Sequence, residues 1–200
     1  VRMPARLVVA TKNPDKVGEV EAVLAGSGLP IEIVRDRVWP DVAETAATLA
    51  GNALLKARTV AVATGLPALA DDTGLEVEAL GGAPGVRSAR YAGPAATYAD
   101  NVARLLRELE GVASRRARFR TVVALVTPDG DELLAEGVLA GEILDAPRGS
   151  GGFGYDPVFA VAGRALAEMP PEEKNRISHR GRALRALVAA LREEEQPSGR

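Results

Sequence analysis

Asp71-Asp72 sets two carboxylates side by side where an apolar run, Pro67-Ala-Leu-Ala70, comes to its end. Adjacent carboxylates repel each other and lose hydration when buried, which is tolerable where a cation or a water network is seated. Carboxylate oxygens are the natural partners of Mg²⁺, which keeps several waters and binds substrate phosphates as well. Alternation along a strand would turn one of the pair toward a cleft and leave the other to brace the turn. An Asx-type turn into Thr73-Gly74 accounts for the same residues without any metal. Glu44 is a further acidic candidate. Beyond it, Asn52 and Lys56 are spaced i, i+4 and share one helix face, from which Lys56 could reach a phosphate. A solvated helix face carries such a pair equally well.

Thr11-Lys-Asn-Pro-Asp-Lys16 lies where a strand hands over to a helix, a place where free backbone N–H groups and the helix dipole favour an anion. Thr11, Asn13 and Lys16 add a hydroxyl, an amide and an ammonium there. The spacing is not that of a Walker A loop, and a plain capped helix with surface lysines is the competing reading. Gly149-Ser-Gly-Gly-Phe-Gly-Tyr-Asp156 allows close backbone approach to a ligand, and Phe153 and Tyr155 could stack on a heterocycle. A glycine loop is also commonly just a turn. Lys174, His179 and Arg180 stand at or just before a helix start, with Ser178 as its cap, and could offer donors to a carbonyl acceptor. His179 is the single histidine, and a lone histidine is more often structural; with no Gly-x-Ser-x-Gly elbow, a Ser–His triad is disfavoured.

The elements that must hold these groups read as follows. A strand over Arg6–Ala10 is followed by a helix capped at Asn13 with Pro14 in its first turn, ending at Gly26-Ser-Gly28. Next come a short strand at 31–34, a helix from Thr48 to Thr64, and a strand at 67–70 that turns at 71–74. Residues 77–93 read as loop and 97–109 as helix. Two strands, 118–126 and 131–144, join at Pro128-Asp-Gly130, and a last helix starts near Ser178. Strands and helices interleave early and a hairpin sits late, which gives an α/β class with a mixed sheet. Neither repeat nor linker divides the chain, so one domain is expected over 1–195, with 196–200 a frayed tail.

The 200 residues suffice for a real core; 46% are hydrophobic, 26% are charged and the formal net charge is −2. That balance argues against a nucleic-acid scaffold, and no apolar run reaches the roughly 18 residues needed to span a bilayer. With no cysteine, disulfides, thiolate catalysis and Cys-ligated zinc are excluded. A cytoplasmic protein is the expectation.

Six strings, in order, carry a resemblance. They are Ala10-Thr-Lys-Asn-Pro-Asp-Lys16, Asn52-Ala-Leu-Leu-Lys-Ala-Arg58, Ala70-Asp-Asp-Thr-Gly-Leu75, Gly81-Gly-Ala-Pro-Gly85 with Ser88-Ala-Arg-Tyr91, Gly152-Phe-Gly-Tyr-Asp-Pro157 and Ile177-Ser-His-Arg-Gly181. Together they resemble the inosine triphosphate pyrophosphatase family, which cleaves non-standard purine nucleoside triphosphates to monophosphate and pyrophosphate. The resemblance implies an elongated mixed sheet flanked by helices, two lobes around a central nucleotide cleft, a homodimer and Mg²⁺ as cofactor. It makes Asp72 the catalytic base and a metal ligand, with Glu44 and Asp71 as further ligands. It assigns substrate binding to the loop of Thr11, Lys12, Asn13, Pro14, Asp15 and Lys16, to Lys56 and to Thr73. Phe153, Gly154, Tyr155 and Asp156 would line the base pocket, and Lys174, His179 and Arg180 would read the base edge. Two positions depart from the family pattern: Ala43-Glu44 stands for a Glu-Glu pair, and Gly51 replaces a Glu before Asn52. A related pyrophosphatase for modified pyrimidine triphosphates and a non-catalytic nucleotide-binding protein are the alternatives.

Overall fold

The computed structural model describes residues 1–195; the expected tail at 196–200 lies outside the described residues. Strand β1 (Arg6–Val9) is a short apolar run with three of its four side chains buried. The chain then leaves the sheet at Asn13, whose side-chain oxygen accepts the Asp15 N–H at 2.9 Å while Pro14 supplies the first helical position of α1 (Pro14–Gly26). After β2 (Glu32–Ile33), residues 34–48 hold neither helix nor strand. Helix α2 (Leu49–Thr64) starts on Thr48, whose hydroxyl accepts the Gly51 N–H. It stops at Gly65, which is left-handed at φ 65°.

Strand β3 (Ala68–Val77) is followed by the two-residue β4 (Pro84–Gly85). Helix α3 (Tyr98–Glu108) begins with a reciprocal capping box between Thr97 and Asp100. Then come β5 (Arg116–Val126), β6 (Glu132–Ile143), β7 (Phe159–Val161), β8 (Arg164–Ala165), α4 (Pro171–Ile177) and α5 (His179–Glu195). Neighbours in the sheet follow the order β2-β1-β3-β5-β6-β7-β8, with β4 on β3. β1 runs parallel to β2 and β3, whereas β7 is antiparallel to both β6 and β8. The class is α/β with a mixed sheet and flanking helices.

The described chain packs as two compact units. One holds Val1–Asp72, Thr121–Gly137 and the described residues from His179; the other holds Thr73–Arg120 and Val138–Ser178. The core of the first unit joins Leu7 and Val9 of β1 to Val20 and Leu24 of α1, Leu69 of β3 and Leu184, Leu187 and Leu191 of α5. The second is built on Leu75, Leu105, Leu109 and Leu166, with Phe119 and Phe159 in tilted contact at 4.6 Å between ring centroids. Among the described residues, no helix is long and apolar enough to cross a membrane.

Two features of the first unit place its polar groups. Parallel pairing of Val8 with Ala68 and Val9 with Leu69, extended by the Ala10 N–H to the Leu69 carbonyl, ends β1 beside the start of β3. Loop 11–16, leaving the carboxyl end of β1, therefore lies beside Asp71-Asp72, which continue along β3 past that end. The second feature is Gly137 on β6: a Cβ there would collide with the His179 carbonyl and the Ala183 amide, so the bare glycine seats the first turn of α5. Gly137→Ala is expected to destabilise the fold by about 1–3 kcal/mol, an overpacking penalty, and thermal unfolding measures it.

The expected turn at 71–74 is corrected: β3 runs on through Asp71, Asp72, Thr73 and Gly74 to Val77. Side chains distant in sequence satisfy the aspartates, so the backbone has no need to bend for them. Gly74 is instead a point of close approach, because a Cβ there would lie 2.8 Å from the Gly85 carbonyl oxygen of β4.

Candidate active site

Because successive side chains of a strand point to opposite faces, Asp71 and Asp72 have different surroundings. Both are almost wholly buried, 5% and 6% exposed. Asp71 accepts from Lys16 Nζ at 3.1 Å and from Arg180 Nε at 3.1 Å, and Arg180 also pairs with Glu19 of α1. Asp72 accepts from Asn52 Nδ2 at 3.1 Å through Oδ2 and from Lys56 Nζ at 3.3 Å through Oδ1. Lys56 in turn donates to Glu44 Oε1 at 2.7 Å.

The two carboxylates are tuned in opposite directions. Burial alone would raise Asp71, but Lys16, Arg180 and Lys56 outweigh it and hold the carboxyl far below the usual carboxylate range. Three cations compete for that one anion. Lys16 accordingly lies below the ordinary lysine value, lowered by burial and by its neighbours Arg180 and Lys56 against the pull of Asp71. Asp72 is raised, first by burial and then by Glu44, against the opposing charges of Lys56 and Lys16. Burial would lower Lys56, but Asp72, Asp71 and Glu44 together lift it above its usual value.

The rest of loop 11–16 is more open. Thr11 Oγ1 accepts the Asn13 N–H at 3.1 Å, Lys12 pairs with Asp41, and Pro14 and Asp15 are exposed in the first turn of α1. Thr73 follows Asp72 on β3 and is half-buried. His179 is buried, its Nδ1 2.6 Å from the Thr121 hydroxyl.

The second unit carries a different cluster. Gly152 and Gly154 are left-handed at φ 70° and 64°, and between them the Phe153 N–H donates to Asp156 Oδ2 at 2.8 Å. Lys174 Nζ donates to the same oxygen at 2.8 Å and lies 4.7 Å from the centroid of the half-buried Phe153 ring. Asp156 and Lys174 are 4% and 6% exposed. The Tyr155 ring belongs to the core, with its hydroxyl donating to the Ser88 carbonyl at 2.8 Å. Tyr155 therefore offers no open face for stacking. Phe153 is the ring that the loop presents, with Tyr98 tilted beside it at 6.2 Å.

Of the expected trio, Lys174 pairs with Asp156, Arg180 pairs with Asp71 and Glu19, and His179 lies against Thr121. Sequence reasoning missed Glu19 and gave Asn52 no role. The i, i+4 spacing of Asn52 and Lys56 was a signal for the second, whereas the partner of Glu19 lies 161 positions away, beyond any local spacing.

Among the described residues, no group of three or more His, Cys, Asp or Glu side chains converges to enclose a metal. Glu44 and Asp72, joined through Lys56, fit the other pattern, in which Mg²⁺ takes one or two carboxylates and completes its shell from water and substrate phosphate.

The Ham1 family model matches residues 7–190. A dITP/XTP pyrophosphatase of Methylococcus capsulatus is 53% identical over 196 residues, covering 95% of this chain and 98% of its own. One from Thermus thermophilus is also 53% identical over 196 residues, covering 96% of this chain and 94% of its own. A solved HAM1 protein from Coxiella burnetii superposes with a TM-score of 0.86 at 44% identity, covering 94% of this chain and 98% of that one. Agreement of this extent, in sequence and in fold, places the chain in the Ham1 family.

Proposed function

We propose that the protein hydrolyses non-standard purine nucleoside triphosphates, those of inosine, deoxyinosine and xanthosine, to the monophosphate and pyrophosphate. The observation that carries this reading is the difference in partners between adjacent carboxylates: Asp71 is held by Lys16 and Arg180, Asp72 by Asn52 and Lys56 beside Glu44. Full-length relatives at about half identity named for dITP and XTP support it.

Water attacks the α-phosphorus, one P–O bond forms, and the bond to the bridging oxygen of the β-phosphate breaks. Asp72 takes the proton of that water, a role suited to a carboxylate whose proton affinity burial has raised. Lys16 and Lys56 offset charge on the departing pyrophosphate. Asp71, engaged by Lys16 and Arg180, holds those cations in place rather than ligating a metal. A divalent cation, Mg²⁺ being the ordinary partner of polyphosphate, would be held by Glu44 and Asp72 and would neutralise phosphate oxygens.

In the second unit, Phe153 offers a face for the purine. The Lys174 ammonium, held at Asp156 Oδ2 and beside the Phe153 ring, is a donor whose chemistry suits a 6-carbonyl acceptor. Adenine presents an amino donor at that position and leaves the lysine facing a donor, a mismatch that lowers affinity steeply. Lys174→Met is expected to lower kcat/KM for xanthosine triphosphate by about 10–100-fold, the usual worth of a hydrogen bond to a charged group. The loss should be much smaller for adenosine triphosphate, and steady-state kinetics on both substrates would check it.

The deciding experiment is pyrophosphate release from a panel of purine and modified pyrimidine triphosphates, with magnesium and with EDTA. Turnover of inosine and xanthosine triphosphates, lost in EDTA and restored by added magnesium, is the expected result. Preference for the pyrimidines would move the chain to the related activity, and binding without pyrophosphate would make it a nucleotide-binding protein.

A further inference from the structure

Asn52 is wholly buried on α2, and both ends of its amide are engaged. Its Oδ1 accepts the Ala46 backbone N–H at 2.9 Å, and its Nδ2 donates to Asp72 Oδ2 at 3.1 Å. A backbone N–H can only donate, so the oxygen must face Ala46 and the NH₂ group must face Asp72. The reverse orientation would set donor against donor at one end and acceptor against carboxylate at the other. With Oδ2 fixed by Asn52 and Oδ1 by Lys56, the Asp72 carboxylate cannot swivel without breaking one of these bonds.

Ala46 lies two residues beyond Glu44, in the stretch of 34–48 that has neither helix nor strand to hold it. Gly51 is what lets that stretch come down on α2: a Cβ there would lie 2.7 Å from the Ala46 Cβ and 3.1 Å from the Thr48 hydroxyl. The bare glycine thus makes room for the contact of Ala46 with Asn52.

We propose that Asn52 is a positioning residue that ties the segment carrying Glu44 to Asp72, and so aims both carboxylates at one divalent cation. The proposal rests on the metal-assisted reading above, and its test is arranged so that the two can fail separately. Asn52→Leu keeps the side-chain volume and removes both hydrogen bonds; Asn52→Ala leaves room for a water to satisfy the Ala46 N–H and Asp72, which protects folding if the leucine variant does not fold. Each is titrated with Mn²⁺ alone, following free Mn²⁺ by electron paramagnetic resonance, and assayed with deoxyinosine triphosphate.

Groups that orient metal ligands typically contribute about 10–100-fold, so the Mn²⁺ dissociation constant should rise and kcat should fall by that order. KM should stay within about threefold, since no group that grips the nucleotide has been touched. A folded variant whose Mn²⁺ affinity and kcat both stay within about twofold of wild type would overturn the proposal. So would a parallel loss of kcat and nucleotide affinity, the mark of a core amide and nothing more. If the wild-type chain turned over no triphosphate at all, the functional reading would fall, while the Mn²⁺ isotherms would still decide the role of Asn52.

Discussion

Asp72→Asn is expected to lower kcat by about 100- to 10,000-fold, the range that general-base catalysis supplies, while nucleotide affinity changes little. The amide has the shape of the carboxylate and can still accept a hydrogen bond, but it cannot take a proton from water. The burial that raises the proton affinity of Asp72 is also a standing penalty on its charge, which Glu44 increases. Removing the charge relieves both. The amide must also turn its NH₂ toward Asn52 Nδ2 or Lys56 Nζ, both donors, which offsets that relief, so the variant should melt near the wild-type temperature. Single-turnover kinetics, binding of a non-hydrolysable analogue and a melting curve test the three parts. Near-normal turnover would remove Asp72 from the mechanism.

Asp71→Asn, one residue away, should do the reverse to stability. Its carboxylate answers Lys16 and Arg180, both deep in the first unit, and removing it leaves buried cations under-compensated. Breaking a buried ion pair in this way costs about 3–5 kcal/mol, and for a chain of this size each kcal/mol moves the midpoint by about 2–4 °C. Glu19 still pairs with Arg180, which places the expected loss at the lower end, about 3 kcal/mol. The pH dependence has a definite sign. The folded-state pKa of Asp71 is depressed, so its contribution is complete above the unfolded carboxylate value, about 4, and is lost as pH falls toward the folded value. The stability gap between wild type and Asp71→Asn should stay constant from about pH 8 to pH 5 and narrow below that. A gap that is absent, or that widens in acid, would contradict the structure.

What the sequence made legible was local. The Asn13 cap with Pro14 behind it, the Thr48 start of α2 and the strand at β1 are decided within a few residues, and they stand where the pattern put them. Helix α4 escaped notice because it is a seven-residue element opening on Pro170-Pro171, too short to show a period. The turn read at 71–74 failed for a physical reason: Asp71 meets Arg180 across 109 positions, and no window on the sequence sees that ion pair. Nor does adjacency along the chain show the different ion-pair partners that Lys174 and Arg180 take. Both aspartates were visible as chemistry, but their different partners needed the side chains of α1, α2 and α5 to be in place.

That difference hangs on the alignment of β3 with β1, set by Val8 against Ala68 and Val9 against Leu69. A strand has only two faces, so sliding it by a single position exchanges everything it presents. Inserting one residue just ahead of Asp71 would move Asp71 into the place of Asp72, toward Asn52 and Lys56, and leave the inserted side chain to face Lys16 and Arg180. Such a chain would keep every chemical group it needs, with its salt-bridged carboxylate in its neighbour's post.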